Sequence, residues 1–429
     1  MLELIDGREQ STPVHIPRPH AVAGPSDPAE IVRGIIEQVR LRGDEALIEM
    51  TARFDGAQLT PDELRVPEET IAKARSLVRP ELIDALEVMA ERLRRTCEQQ
   101  KPQEWFDRSL GDEVIGEIIR PLRRVGVYVP GGKAAYPSTV IMGTIPAQVA
   151  GVGQVVVVSP PDGRGEIAET VLAACAVAGV TEVYRLGGAQ AIAALAYGTT
   201  SVRPVEKIVG PGNIYVTLAK RAVQGWVGID SEAGPTEIAI VADGTASAEV
   251  IAADLVAQAE HGPLGTHALI TWVPELADKV MALLELEVAR HEHPEELENT
   301  LIEGGRAILV RDQRHALETV NAFAPEHLEL IFEDAWGSLQ EVRNAGSVFV
   351  GPYTPVPVGD YVGGTNHVLP SGGTARYDSG LGVSDFTKRI YVSQLERSAL
   401  ERMAPHVAAL AEAEGLNAHS RAVQRRLER

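Results

Sequence analysis

The chain has 429 residues and a formal charge of −20 spread along its length instead of gathered in a tail. That length is more than one simple core needs, so two or more lobes are expected, and the acidic balance argues against nucleic acid as a partner. No apolar run reaches the roughly 20 residues of a membrane span, and the N-terminus MLELIDGREQ has no apolar leader, so a cytoplasmic protein without membrane contact is expected.

In chain order, Ile31, Ile35, Ile36 and Val39 predict a helix over 28–55, with Gly43 as a break. A long amphipathic run from Pro67 to Gln100 predicts a second helix, and from Arg124 strands alternate with helices. Strands are expected at 124–130, 154–160, 181–187 and 206–209, with helices after Ser138 and Thr139, at 167–179, at 189–197 and at 214–224. Such βα alternation implies parallel sheets covered on both faces, with ligands lying beyond the carboxyl ends of the strands. The loops there, 130–137, 187–190 and 210–213, all carry glycine but do not complete GxGxxG. They read equally well as tight βα turns or as phosphate cradles.

Alternation resumes with strands at 237–242, 267–272 and 306–310. The helix capped by Ser247 carries Gln258 on the face of Ile251 and Leu255, with His261 three positions on. That pair is either a backbone-satisfied amide beside a helix-terminal His or two groups converging on a ligand. Next comes FAPEHLEL, where Glu326 and His327 follow the backbone break at Pro325, so that two adjacent side chains can address one substrate. Residues 351–383, dense in glycine and proline, predict a long functional loop holding Asp360 and His367. In the tail, Ser398-Ala-Leu-Glu401 predicts a capping box, Glu414 stands at an unfavourable helix C-terminus, and Asn417 is a candidate cap for a helix that opens with His419. Cys97 and Cys175 lack CxxC spacing and read as inert.

Together the strings VRLRGDEAL with FDG, VGVYVPGGKAAYPSTVIMG, LGGAQAIAALAYGT, KIVGPGN, AGPTE, QAEHGP, FAPEHLEL, GDYVGGTNHVLP and EGLNAHSRAV resemble the histidinol dehydrogenase family over nearly the whole chain. The resemblance implies an α/β fold of two incomplete Rossmann-like parallel-sheet lobes with small helical N- and C-terminal extensions. The divisions would be 1–27, a discontinuous lobe of 28–127 plus 237–382 holding the metal and catalytic residues, an NAD-binding lobe of 128–236, and a tail of 383–429 exchanged in a homodimer. It implies a zinc-containing, NAD-dependent enzyme of histidine biosynthesis that oxidises L-histidinol to L-histidine through a bound aldehyde.

Carried over position by position, Gln258, His261, Asp360 and the partner's His419 would bind zinc and, with Thr236, His327 and the partner's Glu414, the substrate. Tyr128, Gln190 and Asn213 would contact NAD. His327 would act as base for the alcohol step and Glu326 would activate water for the aldehyde step. Thr236 stands where the family often has Ser, a change that keeps the hydroxyl. Independently, aldehyde oxidation needs a thiolate or an activated water, and with neither cysteine in a plausible site, water remains. A related dehydrogenase acting on another small polar alcohol, such as a sulfonated diol, would keep the metal and cofactor residues and change the substrate pocket.

Overall fold

The computed structural model describes residues 1–19, 27–131, 135–232 and 234–428. Gly132 and Lys133 of the first glycine loop, Ala233 of AGPTE and residues 20–26 of the N-terminal extension lie outside them.

Two parallel sheets form the frame. The first runs Glu3–Asp6, Gly305–Leu309, Thr266–Thr271, Glu237–Ala242, His327–Ile331, Ser347–Val350 across its width. The second runs Glu182–Arg185, Gln154–Ser159, Arg124–Tyr128, Lys207–Val209, Gly228–Ile229. Without the N-terminal strand, both have the order third, second, first, fourth, fifth in chain sequence, the Rossmann order without its sixth strand. The central strands are continuous apolar runs, as burial on both faces demands: Ile238 through Ala242 and Val156 through Val158 are fully buried.

Several elements differ from the sequence reading. The helix expected over Pro67 to Gln100 is two, Glu68–Ala74 and Pro80–Gln99, because Pro80 cannot continue a helix and starts the next one instead. Ser138 and Thr139 do not cap; Pro137 opens that helix and both hydroxyls lie inside it. Ser398 does not form a capping box, since the helix Arg397–Ala413 starts one residue earlier and the hydroxyl donates to Asp112. Asn417 likewise is the first helical residue, not the cap. The loop 351–383 contains the helix Val356–Tyr361, which carries Asp360.

The N-terminal extension is not helical in its described part: Glu3–Asp6 joins the first sheet beside Gly305–Leu309, and Val14 and Ile16 are buried in its core. A third, antiparallel sheet of Trp105–Asp107, Glu113–Pro121 and Thr387–Leu395 was not anticipated. Residues 28–99 were grouped with the first lobe but pack on the second sheet. Val32, Ile36 and Leu47 share one core with Leu186 and Ile192, and Leu86 and Leu93 share another with Ile141 and Val171. No helix among the described residues is long and apolar enough to cross a membrane.

Candidate active site

The catalytic pair sits where a helix turns abruptly into a strand. Helix Gln313–Phe323 is stopped by Ala324, a left-handed residue at φ 54°, and Pro325 and Glu326 lead into His327, the first residue of the interior strand His327–Ile331. Non-glycine residues rarely adopt that conformation, and here it lets Glu326 and His327 converge.

The neighbouring strand holds both. The Glu237 N–H donates to Glu326 Oε2 at 2.9 Å, and the Glu237 carbonyl lies 3.0 Å from His327 Nδ1. A carbonyl can only accept, so Nδ1 carries the proton and Nε2, which has no hydrogen-bond partner, is the basic atom. Thr236 donates its hydroxyl to Glu326 Oε2 at 2.7 Å and receives the Gln258 amide N–H, so that Gln258, Thr236 and Glu326 form one relay. His327 Nε2 lies 3.7 Å from Asp360 Oδ1, and Nδ1 lies 3.6 Å from Glu326 Oε2. Burial opposes a charged imidazole, but the Glu326 and Asp360 carboxylates outweigh it and push His327 up to about 9. In turn, against the pull of burial, His327 holds Asp360 below the usual carboxylate range, and His367 and His261 assist.

The donors around this pair fit a cation. Gln258 points Nε2 toward Thr236 and leaves Oε1 buried without a partner. His261 places Nδ1 3.2 Å from the Gln258 carbonyl, which leaves Nε2 outward, and its charge acts on Asp360. An amide oxygen, an imidazole and a carboxylate suit a borderline divalent ion. Among the described residues no three His, Cys, Asp or Glu side chains gather closely enough to hold a metal on their own. The single chain thus offers two ligands of those types, His261 and Asp360, and one amide. His419 and Glu414 stand apart, on the tail hairpin of Arg397–Ala413 and Asn417–Leu427, which packs mainly on itself.

All these groups lie at the amino ends of the first sheet's strands, opposite to the edge favoured in open α/β sheets. The reason is that the helix Ala248–Ala259 returns from the carboxyl edge and delivers Gln258 and His261 to the amino edge. In the second sheet the usual rule holds. Tyr128 ends its strand, its hydroxyl accepts the Gly188 N–H at 3.1 Å, and Gln190 is buried with an unpartnered Nε2. Gly210 follows Lys207–Val209 at φ 113°, and a Cβ there would lie 2.2 Å from the Tyr128 carbonyl oxygen, so the turns close tightly over one another. Asn213 caps the helix Ile214–Val223 through its side-chain oxygen, which leaves its amide N–H groups for a ligand. A cavity of about 620 Å³ opens beside Pro130, Gly131 and Pro160 at the same edge. Asn366 donates to the Met142 carbonyl at 2.9 Å and so ties the loop that carries His367 to this lobe.

Three residues of the site, Arg18, Glu237 and Glu329, were not legible in the sequence as site residues. Arg18 pairs with Glu237 and donates to the Phe323 carbonyl at 2.6 Å, yet it comes from an extended stretch without periodicity. The main chain of Glu237 holds the pair, a role no side-chain pattern reveals. His367 donates Nδ1–H to the Asp360 carbonyl at 2.9 Å. Glu329, one pleat behind His327, is buried against Asp254; its alternation with His327 was the available signal. Both cysteines are buried, and burial pushes their thiols up to about 11 and about 12, so no thiolate is at hand.

Two lobes of incomplete Rossmann strand order, one presenting a glycine-lined edge and the other a buried carboxylate–imidazole pair, define a two-lobed α/β oxidoreductase. The histidinol dehydrogenase family profile matches residues 21–427. A histidinol dehydrogenase of Synechococcus sp. is 47% identical over 397 residues, 92% of this chain and 91% of the relative. That of Thermobifida fusca is 47% identical over 416 residues, 96% of this chain and 94% of the relative. The crystal structure of histidinol dehydrogenase from Elizabethkingia anophelis superposes with a TM-score of 0.93 at 33% identity, covering 100% of this chain and 98% of that one. The chain belongs to the histidinol dehydrogenase family.

Proposed function

We propose that this protein oxidises L-histidinol to L-histidine through a bound aldehyde, in the last steps of histidine biosynthesis, as a cytoplasmic homodimer with exchanged tails. The reading rests on one observation above all: His327 Nε2 is buried without a hydrogen-bond partner beside Glu326, and the main chain of Glu237 bonds both side chains. NAD bound at Tyr128, Gln190 and Asn213 would accept a hydride at each oxidation, and zinc held by Gln258, His261, Asp360 and the partner's His419 would orient the substrate's imidazole and amino nitrogens.

The chain's own groups divide the proton chemistry. In the first oxidation His327 Nε2 takes the hydroxyl proton as the carbon loses hydride. Glu326, held through Oε2 by Thr236 and the Glu237 N–H, has Oε1 outside those bonds to remove a proton from the water that adds to the aldehyde. The hydrate so formed would lose the second hydride to NAD and its second proton to solvent through His327, leaving the carboxylate. Thr236 would also touch substrate, as would the partner's Glu414, whose charge suits an ammonium group.

Tail exchange accounts for Glu414 and His419, which the single chain leaves away from the site. It also accounts for a hairpin in which Ala399 and Ala411 are the buried residues of one helix and the other helix buries none. The test is a zinc-replete assay with L-histidinol that counts NADH per histidine formed. Two are expected; one, or turnover confined to a different alcohol such as a sulfonated diol, would overturn the reading.

A further inference from the structure

Asp55 is placed against local rules. It closes the helix Asp44–Phe54, where unpaired carbonyls disfavour a carboxylate. Its Oδ2 is buried and meets no donor. Burial is what moves this carboxyl, pushing it up to about 6, and no ion pair among the described residues includes it. Each feature costs stability without a local return, the pattern expected of a residue kept for function.

Its surroundings indicate which function. Oδ1 lies 3.4 Å from the point that a side chain on Gly187 would occupy, and Pro160 Cβ lies 2.6 Å from that same point. Gly187 opens the turn into Gly188–Tyr197, the Gly188 N–H bonds the Tyr128 hydroxyl, and the charge of Asp55 acts on that hydroxyl. Asp55 therefore reaches, from a helix outside the sheet, the same carboxyl-edge turns that present Tyr128 and Gln190. An ionised carboxylate with an unpartnered oxygen accepts hydroxyl donors and repels phosphate. Of the parts of a dinucleotide, a ribose supplies those hydroxyls, and the extra ribose phosphate of NADP would meet repulsion.

We propose that Asp55 is a cofactor-selecting residue, whose carboxylate accepts hydrogen bonds from a ribose of bound NAD(H) and excludes a ribose phosphate, so that NAD is taken in preference to NADP. The inference rests on the reading that this lobe binds NAD.

The experiment is fluorescence titration of the purified protein with NADH and with NADPH, for wild type, Asp55→Asn and Asp55→Ala, alongside melting curves without nucleotide. Wild type is expected to prefer NADH. Both variants should weaken NADH binding by roughly tenfold or more and narrow the NADH-to-NADPH ratio. Asp55→Asn, which removes a desolvated charge from a helix C-terminus, should melt at the same temperature or higher. Unchanged NADH affinity and ratio in both variants would overturn the proposal, and so would a lowered melting temperature with unchanged affinity in Asp55→Asn. A wild-type protein that binds neither nucleotide would instead overturn the NAD reading on which it rests.

Discussion

The carbonyl of Glu237 accepts the Nδ1–H of His327 at 3.0 Å, and this bond decides which nitrogen does chemistry. It leaves Nε2 facing Asp360 at 3.7 Å. In metal-free protein His327 should therefore titrate near 9 by NMR, well above an ordinary imidazole, and Asp360→Asn should bring it down. The sign for stability follows. A folded-state pKa raised above the unfolded value of 6.5 gives a contribution complete below 6.5 and lost as pH rises through about 9. Titration at or below 6.5 in the metal-free protein would contradict this.

Glu237 depends in turn on Arg18. Its carboxylate is 3% exposed, Arg18 is its cation, and the guanidinium stacks 4.1 Å from the Phe323 ring centre. Arg18→Ala would strand a buried charge, with an expected loss of about 3–5 kcal/mol in urea unfolding. Because the main chain of Glu237 holds both catalytic side chains, kcat should fall as well. The double variant Arg18→Met with Glu237→Gln, which removes both charges, should recover much of the stability. A loss below about 1 kcal/mol in Arg18→Ala would show the pair to be ornamental.

Behind His327, burial and the Asp254 carboxyl push Glu329 up to about 8. Its folded pKa lies above the unfolded 4.5, so the folded state binds this proton more tightly, and stability from this group falls as pH rises from about 4.5 through about 8. Glu329→Gln keeps an acceptor for the Val356 N–H, bonded at 3.0 Å, and removes the titration. The fall in melting temperature from pH 6 to pH 9 should be smaller in that variant, the remainder coming from His327. An unchanged pH slope would refute the assignment.

Exchange of tails makes a prediction that needs no coordinates. A His327→Ala subunit and a His419→Ala subunit, each inactive alone, should on co-refolding form mixed dimers in which one of the two sites is intact. Random pairing would restore roughly a quarter of the wild-type activity. No recovery would mean that each site is built from a single chain.

The parallel sheets were legible because strands buried on both faces are continuous apolar runs and their glycine turns punctuate them, as Val156 through Val158 and Gly187–Gly188 illustrate. Asp360 was legible as a residue but not as a helical one, since six residues among prolines carry no periodicity. The antiparallel sheet escaped because Thr387–Leu395 is mostly exposed and pairs with Glu113–Pro121 across most of the chain, a distance over which no local pattern acts. The packing of 28–99 on the second sheet escaped for a similar reason: an amphipathic face states that a helix is covered, not by what. The catalytic pair was visible from Pro325 onward, whereas the Glu237 backbone that orients it could come only from the pairing of His327–Ile331 with Glu237–Ala242.

Two adjacent groups, His327 and Glu326, are assigned to two different proton transfers. The most direct measurement follows NADH formation in single turnovers, started separately from L-histidinol and from the aldehyde, in Glu326→Gln and His327→Gln. Glu326→Gln should form aldehyde from alcohol at a rate much closer to wild type than its aldehyde oxidation, while His327→Gln should be crippled at the alcohol step. Equal losses on both substrates in Glu326→Gln would contradict it.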